Sequence, residues 1–391
     1  MGNAHCDVSG AWVGRSCTRD RLVRMSTDSP LPKGRVTLRR MALLQPRSMS
    51  RRPQPFTVHA SVRRPLPGLN GPSAVATAPS VFTTGEASRS GVHPARLKRS
   101  DLRSLGRSLW AVTQEDVGPL DLLHSLQQLH PTGVFSHTTA AAVWGMWLPR
   151  GVSGTSPVHI AKVRGHGGSA RRTGVRGHRL SPHADVLVVG GLRVTSPAWT
   201  WVDLAQELGG LEDLVVAGDS LLQRETGAEW RRRGRPPRTV TVAGLEATVR
   251  RRPGVRGIVL ARAALERLCP GADAPTESRL RHRLVEAGFP RPVVNPHKVL
   301  SSGRWVMLDL FWEDLLVCLE FDGDQHRIDN RQWQSDRVRA RELDVDGIHV
   351  VRVTGEVFTR EGWRRFVRDL DLLLRRQAER LGVPVTWRVA I

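Results

Sequence analysis

The stretch Arg304–His326, RWVMLDLFWEDLLVCLEFDGDQH, constrains this chain more than any other. Two apolar runs, Trp305–Phe311 and Leu315–Phe321, flank the polar pair Glu313-Asp314, so the stretch predicts a β-hairpin. Side chains alternate along a strand, which puts Trp305, Met307, Asp309 and Phe311 on one face. On the second strand Leu316, Cys318, Glu320 and Asp322 share a face. A two-residue loop with Trp312 opposite Leu315 sets Asp309 against Cys318 and Met307 against Glu320. A four-residue loop with Phe311 opposite Leu316 keeps that register. Asp309 then lies diagonal to Glu320, roughly 7–8 Å away. Three acids, Asp309, Glu320 and Asp322, on one face of an apolar hairpin conflict with burial unless a cation joins them. A hard divalent cation with oxygen ligands, Mg²⁺ or Mn²⁺, is the expected partner.

At 391 residues the chain has room for two or three domains. A formal charge of +22 points to a polyanion, most directly DNA. All but four of the 59 basic residues are arginine, a bias that GC-rich coding also produces. Residues 1–80 hold 13 of the basic residues and only three acidic ones, yet the remainder is still strongly basic. No apolar run approaches the roughly 20 residues of a membrane span, so no membrane partner is expected. The start lacks the pattern of a signal peptide. Cys6, Cys17, Cys269 and Cys318 are scattered without metal-ligand spacing, which argues against disulfides and zinc and for a cytoplasmic location.

Residues 1–78, rich in proline, arginine and serine, read as disordered, either a basic arm or a segment upstream of a start at Met41 or Met49. Order begins near Val81. Thr83-Thr84-Gly85-Glu86 has capping-box spacing and opens a short helix, Pro94–Ser100 a second, and Leu102–Val112 a small β wing. Together, residues 79–117 predict a compact winged helix-turn-helix. The stretch FTTGEASRSGVHPARLKRSDL resembles the N-terminal module of type IV toxin–antitoxin antitoxins. That resemblance implies DNA contacts by Arg96, Lys98 and Arg99; a solvated basic helix in a small packing domain is the plainer alternative.

Residues 118–225 predict an α/β middle region. Helices open at Ser136 and at Ser196-Pro197, and strands fall at Val158–Val163, Asp185–Val189 and Leu192–Thr195. Asp203, Asp213 and Asp219 read as helix-surface acids, and His137, His159 and His178 lack metal-ligand spacing, so the region reads as scaffold. Residues 226–270, with RRRGRPPR and VRRRPGVRG, read as a linker or a strip that tracks a DNA backbone.

From residue 271 to 391 the order is helix, hairpin, helix, strand, helix around a mixed sheet. Thr276 is expected to cap the first helix, with Gly288 as its stop. Glu277 stands three and seven residues before Leu280 and Leu284 and shares their inward face. Glu277 on a helix, Asp309 on a strand, Glu320-Phe321-Asp322-Gly323 with His326 on the next, and then Asp336 and Arg341 resemble the restriction-endonuclease-like fold. They are most similar to nuclease-like domains related to very-short-patch-repair endonucleases, over Pro275 to about Arg375. The resemblance implies metal-assisted phosphodiester hydrolysis, with Asp309 and Glu320 as ligands and Glu277 in an outer role. Asp322 stands where the D…(D/E)-x-K motif of that superfamily has lysine, so a second cation or His326 is needed for the missing charge. The fold class expected is thus multidomain α/β, and the favoured function a Mg²⁺-dependent DNA endonuclease of defence or repair. A homodimer is the partner state that double-strand cutting would require. A noncatalytic DNA-binding regulator of antitoxin type with a degenerate nuclease fold is the alternative, and an RNA-directed nuclease a third reading.

Overall fold

The computed structural model describes residues 80–114, 116–163, 172–222, 240–322 and 330–390, with the backbone alone for 330–336. The N-terminal segment expected to be disordered and the RRRGRPPR run lie outside these residues, as does His326.

The first elements are β1 (Val81–Thr83), α1 (Thr84–Arg89), a 3₁₀ turn at Pro94–Lys98, β2 (Leu102–Ser104) and β3 (Leu109–Val112), with the strands in antiparallel order β1-β3-β2. The capping box forms in full: the Glu86 amide donates to Thr83 Oγ1 at 3.1 Å, and the Thr83 amide donates to Glu86 Oε2 at 2.8 Å. Phe82, Ala87, Val92, Leu97, Leu102 and Val112 make a small core under the 3₁₀ turn. Val81, Leu109 and Ala111 face the other way, into the core of the next segment.

That segment comprises α2 (Pro119–Leu129), β4 (Val134–Phe135), α3 (His137–Trp144), β5 (Val158–Val163), β6 (Val175–Leu180), β7 (Val186–Val189), β8 (Leu192–Thr195), α4 (Pro197–Leu208) and α5 (Leu211–Asp219). Its five strands are ordered β6-β5-β4-β8-β7. The pairs β5–β6 and β4–β8 are parallel, which makes the sheet mixed. Ser196 caps α4 by accepting from the Trp199 amide, and Pro197 takes the first helical position. Trp201 is fully buried and anchors α4 to α5 through Nε1, which donates to the Leu214 carbonyl at 2.9 Å.

Much of the expected linker is instead core. Residues 242–265 fold into α6 (Val242–Arg251) and α7 (Ile258–Leu265), and Leu245, Val249, Ile258, Ala261 and Ala264 close the hydrophobic cluster that begins at Val81. Arginine density hid a helical pattern: Leu245 and Val249 are four apart, on one face. Thr241 caps the start by accepting from the Gly244 amide.

The C-terminal elements are α8 (Pro275–Glu286), β9 (Val293–Val294), β10 (His297–Val299), β11 (Trp305–Met307), β12 (Leu310–Trp312), β13 (Val317–Phe321), α9 (Asn330–Val345), β14 (His349–Val353) and α10 (Arg360–Leu381). The main sheet runs β14-β13-β12-β9, parallel only between β13 and β14, and β10–β11 form a separate ribbon. At the start of α8, Ala274 rather than Thr276 is the cap residue, because Pro275 fits the first helical turn. The strand expected over Trp305–Phe311 divides at Leu308-Asp309, and its first half leaves to pair with β10. A 3₁₀ turn over Glu313–Leu315 and a left-handed Leu316 join β12 to β13. The observed partners Leu310↔Leu319 and Phe311↔Cys318 shift the expected register by two residues. An even shift leaves the paired side chains of β12 and β13 on their predicted faces, while Trp305 and Met307 leave with β11.

The chain is therefore a multidomain α/β protein with separate cores on either side of residue 269. Asp219, at the end of α5, joins them. It accepts from the Cys269 amide at 2.8 Å, Ser278 Oγ at 2.6 Å and Arg281 Nη2 at 3.0 Å. Both charged side chains are essentially inaccessible, 0% and 1% exposed. Asp203 and Asp219, read from sequence as surface acids, are thus buried ion-pair members. Among the described residues no helix is long and apolar enough to cross a membrane.

Candidate functional site

The β12–β13 pairing ends at Leu310↔Leu319, and Asp309 stands at the bend just before it. Asp309 is largely buried and accepts from the Phe321 amide through Oδ2 at 2.9 Å. Burial above all, then the neighbouring Glu320 and Asp273, raise its pKa against the pull of the Phe321 amide and Arg339. Glu320 meets a cation: Arg339 Nη2, reaching in from α9, lies 2.5 Å from Glu320 Oε1. The same nitrogen donates to the Met307 carbonyl at 2.8 Å.

Glu277 reaches the same neighbourhood from the first turn of α8. It is 9% exposed, and its Oε2 accepts from the Asp273 amide at 2.9 Å and from Asn295 Nδ2 at 2.8 Å. Burial chiefly, with the charges of Asp309 and Asp273 against those two hydrogen bonds, pushes its pKa up to about 7. The inward face read from Leu280 and Leu284 is the one it occupies. Asn295 has a positive φ of +46° and also donates to the Gly271 carbonyl, holding the α8 approach against the end of β9.

Asp322 does not join this group. Its amide donates to the Val353 carbonyl at the end of β13, and its side chain is exposed. The three strand acids do not close into one ligand set, because the chain before Asp309 has already turned away with β11. Asp309 instead feels the charge of Glu320 and adds its own to Glu277, but among the described residues these carboxylates do not converge into a ligand cluster; Arg339, a residue that sequence reasoning did not single out, is the counter-charge at Glu320. Its only signal was a place on the basic helix after the hairpin. Burial and neighbouring acidic charge raise the pKa of both Glu277 and Asp309.

In the N-terminal module, Arg96 is engaged by Asp101, with Nη1 on Oδ1 at 2.8 Å and Nη2 on Oδ2 at 2.5 Å. That bidentate pair occupies the Arg96 guanidinium. Lys98 and Arg99 are exposed.

A second constellation corrects the sequence reading, which set His137, His159 and His178 aside for want of metal-ligand spacing. His137 at the start of α3, His159 on β5 and His178 on β6 bring one potential ligand atom each within 4.8 Å of one another. Among the described residues this is the only His, Cys, Asp and Glu group of that kind. The three residues lie 22 and 19 positions apart in sequence, and only the parallel β5–β6 pair and the turn into α3 bring them together.

No family model matches the chain. Two uncharacterised proteins of Mycobacterium tuberculosis, from the CDC 1551 and H37Rv strains, are each 26% identical to it over 186 residues, 47% of this chain. The chain spans 64% of the length of these relatives.

Proposed function

We propose that the protein is a divalent-cation-dependent endonuclease acting on DNA in the cytoplasm, in defence or repair. One observation supports this reading: the Glu320 charge acts on the partly buried Asp309, whose own charge acts on the buried Glu277, on a strongly basic chain. Asp309 and Glu320 would hold the cation. When bound, it would polarise the scissile phosphate and lower the pKa of a water. Glu277, with a pKa near 7, exchanges protons at neutral pH and is the group suited to take one from that water. Asn295 and the Asp273 amide fix its carboxylate. Arg339 supplies at Glu320 the positive charge that Asp322 withholds from the lysine position of the motif.

Plasmid cleavage with Mg²⁺ or Mn²⁺ tests the proposal, comparing the wild type with Asp309→Ala and Glu320→Ala. Both variants are expected to lose cleavage by at least roughly 100-fold while retaining DNA binding. Equal activity in all three proteins removes the enzymatic reading. Faster cleavage of RNA than of DNA at matched salt would reassign the substrate. The regulator reading draws on the exposed Lys98 and Arg99 beside the β2–β3 hairpin, and it requires sequence-specific binding that persists in chelator.

A further inference from the structure

We propose that His137, His159 and His178 form a second metal centre, specific for a borderline divalent cation of the zinc class and separate from the carboxylate site. The argument begins with how the fold aims the three rings. His159 and His178 lie on the same face of the parallel β5–β6 pair, where Ala161 is the residue opposite His178. The small Ala161 side chain leaves room for the His178 ring to lean toward His159, and His178 Nε2 comes to 2.9 Å from His159 Nδ1. His137 enters from the first residue of α3 with φ +51°, a left-handed conformation uncommon outside glycine. Its ring stacks on that of His178 at 3.8 Å between centroids.

Imidazole nitrogens bound to tetrahedral zinc at about 2.0–2.1 Å lie roughly 3.3 Å apart, so the His159–His178 pair is already close to ligand spacing. Convergence of all three requires the stacked His137 and His178 rings to splay about χ2, a soft torsion in histidine. The rings are also in the right protonation state. Burial, then the neighbouring rings, push His137 down to about 2, and burial likewise takes His159 and His178 down to about 4. At neutral pH each keeps a lone pair for a cation with no proton competing.

The outer contacts belong to such a centre. Ser136 Oγ lies 2.9 Å from His137 Nδ1, and Asp203 Oδ2 lies 4.0 Å from that nitrogen. Asp203 is itself held by Arg252 Nη2 at 2.6 Å, and Arg252 stacks on Trp199 at 4.0 Å. The Thr139 hydroxyl accepts from the His159 amide at 2.9 Å, which fixes the strand under its ring. Positioned partners of this kind orient ligating histidines. Three nitrogen donors without a carboxylate cage select zinc, cobalt or nickel over magnesium. A cavity of about 520 Å³, lined by His137, Asp203, Arg179 and Arg252, leaves room on one side for an exchangeable fourth ligand.

The test uses the full chain, stripped with chelator and then given one metal at a time. Calorimetric titration is expected to show one Zn²⁺ site per chain that Mg²⁺ does not compete for, thermal stabilisation by Zn²⁺ that persists in Asp309→Ala and Glu320→Ala, and visible d–d bands of nitrogen-ligated tetrahedral Co²⁺. His159→Asn and His178→Gln, which preserve polarity and approximate size, should each weaken Zn²⁺ binding more than roughly 100-fold. Asp309→Ala and Glu320→Ala should leave it unchanged, so this centre and the nuclease reading stand or fall separately. A wild-type protein that gives no tetrahedral Co²⁺ spectrum and no Zn²⁺ stabilisation overturns the proposal, whatever the variants do. So does Zn²⁺ affinity that is unchanged in both histidine variants.

Discussion

Arg339 and Glu320 meet at 2.5 Å, a guanidinium from α9 against a carboxylate from β13. In the proposed nuclease this contact has two opposing effects: it lends positive charge to the site, and it competes with a metal cation for Glu320. Arg339→Ala should therefore tighten Mg²⁺ binding and yet lower cleavage by roughly 100-fold, whereas Arg339→Lys retains most activity. Titration of Mg²⁺ against both variants in a cleavage assay separates the effects. Unchanged rates in Arg339→Ala would reduce the pair to a structural tie.

Glu277 makes the fold sensitive to pH in a defined direction. Its carboxyl binds a proton more tightly folded, with a pKa of about 7, than unfolded, at 4.5. The folded state binds more protons between those values, so stability falls as pH rises from about 4.5 to 7 and the penalty is complete above 7. Glu277→Gln should flatten that limb and stabilise the protein at pH 8 by at most about 2–3 kcal/mol. Urea unfolding at pH 5 and pH 8 reads this directly. Mg²⁺ should shrink the difference in the wild type, because a cation favours the ionised form.

Gly218 in α5 packs where no side chain fits. A Cβ there would lie 2.5 Å from Leu268 Cδ2 and 2.8 Å from Trp201 Nε1. Gly218→Ala should cost about 1–3 kcal/mol through overpacking, despite the better helix propensity of alanine. A raised or unchanged melting temperature would show that Leu268 yields without strain.

If the N-terminal module grips DNA, the exposed Lys98 and Arg99 carry the contact. The double variant Lys98→Ala/Arg99→Ala should lower the slope of log affinity against log salt by about 1.8. Arg96→Ala should leave it unchanged, since its guanidinium is held by Asp101. Anisotropy titrations over a salt series distinguish the two, and identical slopes in all proteins would rule out a phosphate-binding role.

The α/β class was legible from period and punctuation, as α4 shows: Ser196-Pro197 opens it and Leu208 closes it as read. The acid faces of the hairpin were legible too, because alternation survives an even register shift. The shift itself was not, since it depends on a 3₁₀ turn and a left-handed Leu316 that carry no glycine signal. Arg339 lay among many arginines, and only a helix docked on the sheet separates it from them. His137, His159 and His178 have no local pattern at all, because parallel strands join residues that sequence keeps apart.

The tie between Asp219 and Arg281 bears on how the molecule comes apart. Either half, expressed alone, would expose one member of this ion pair to water together with the surface packed around it. The α/β segment ending near Leu268 and the segment carrying the carboxylates each have their own apolar interior, yet they share the charged contact of α5 with α8. They should melt in one cooperative transition, and a fragment cut at residue 270 should be poorly folded. Whatever binds at one end of the molecule then stabilises the other, through the contact of α5 with α8 that Asp219, Glu212 and Asp213 make with Arg281, Arg279 and Arg283.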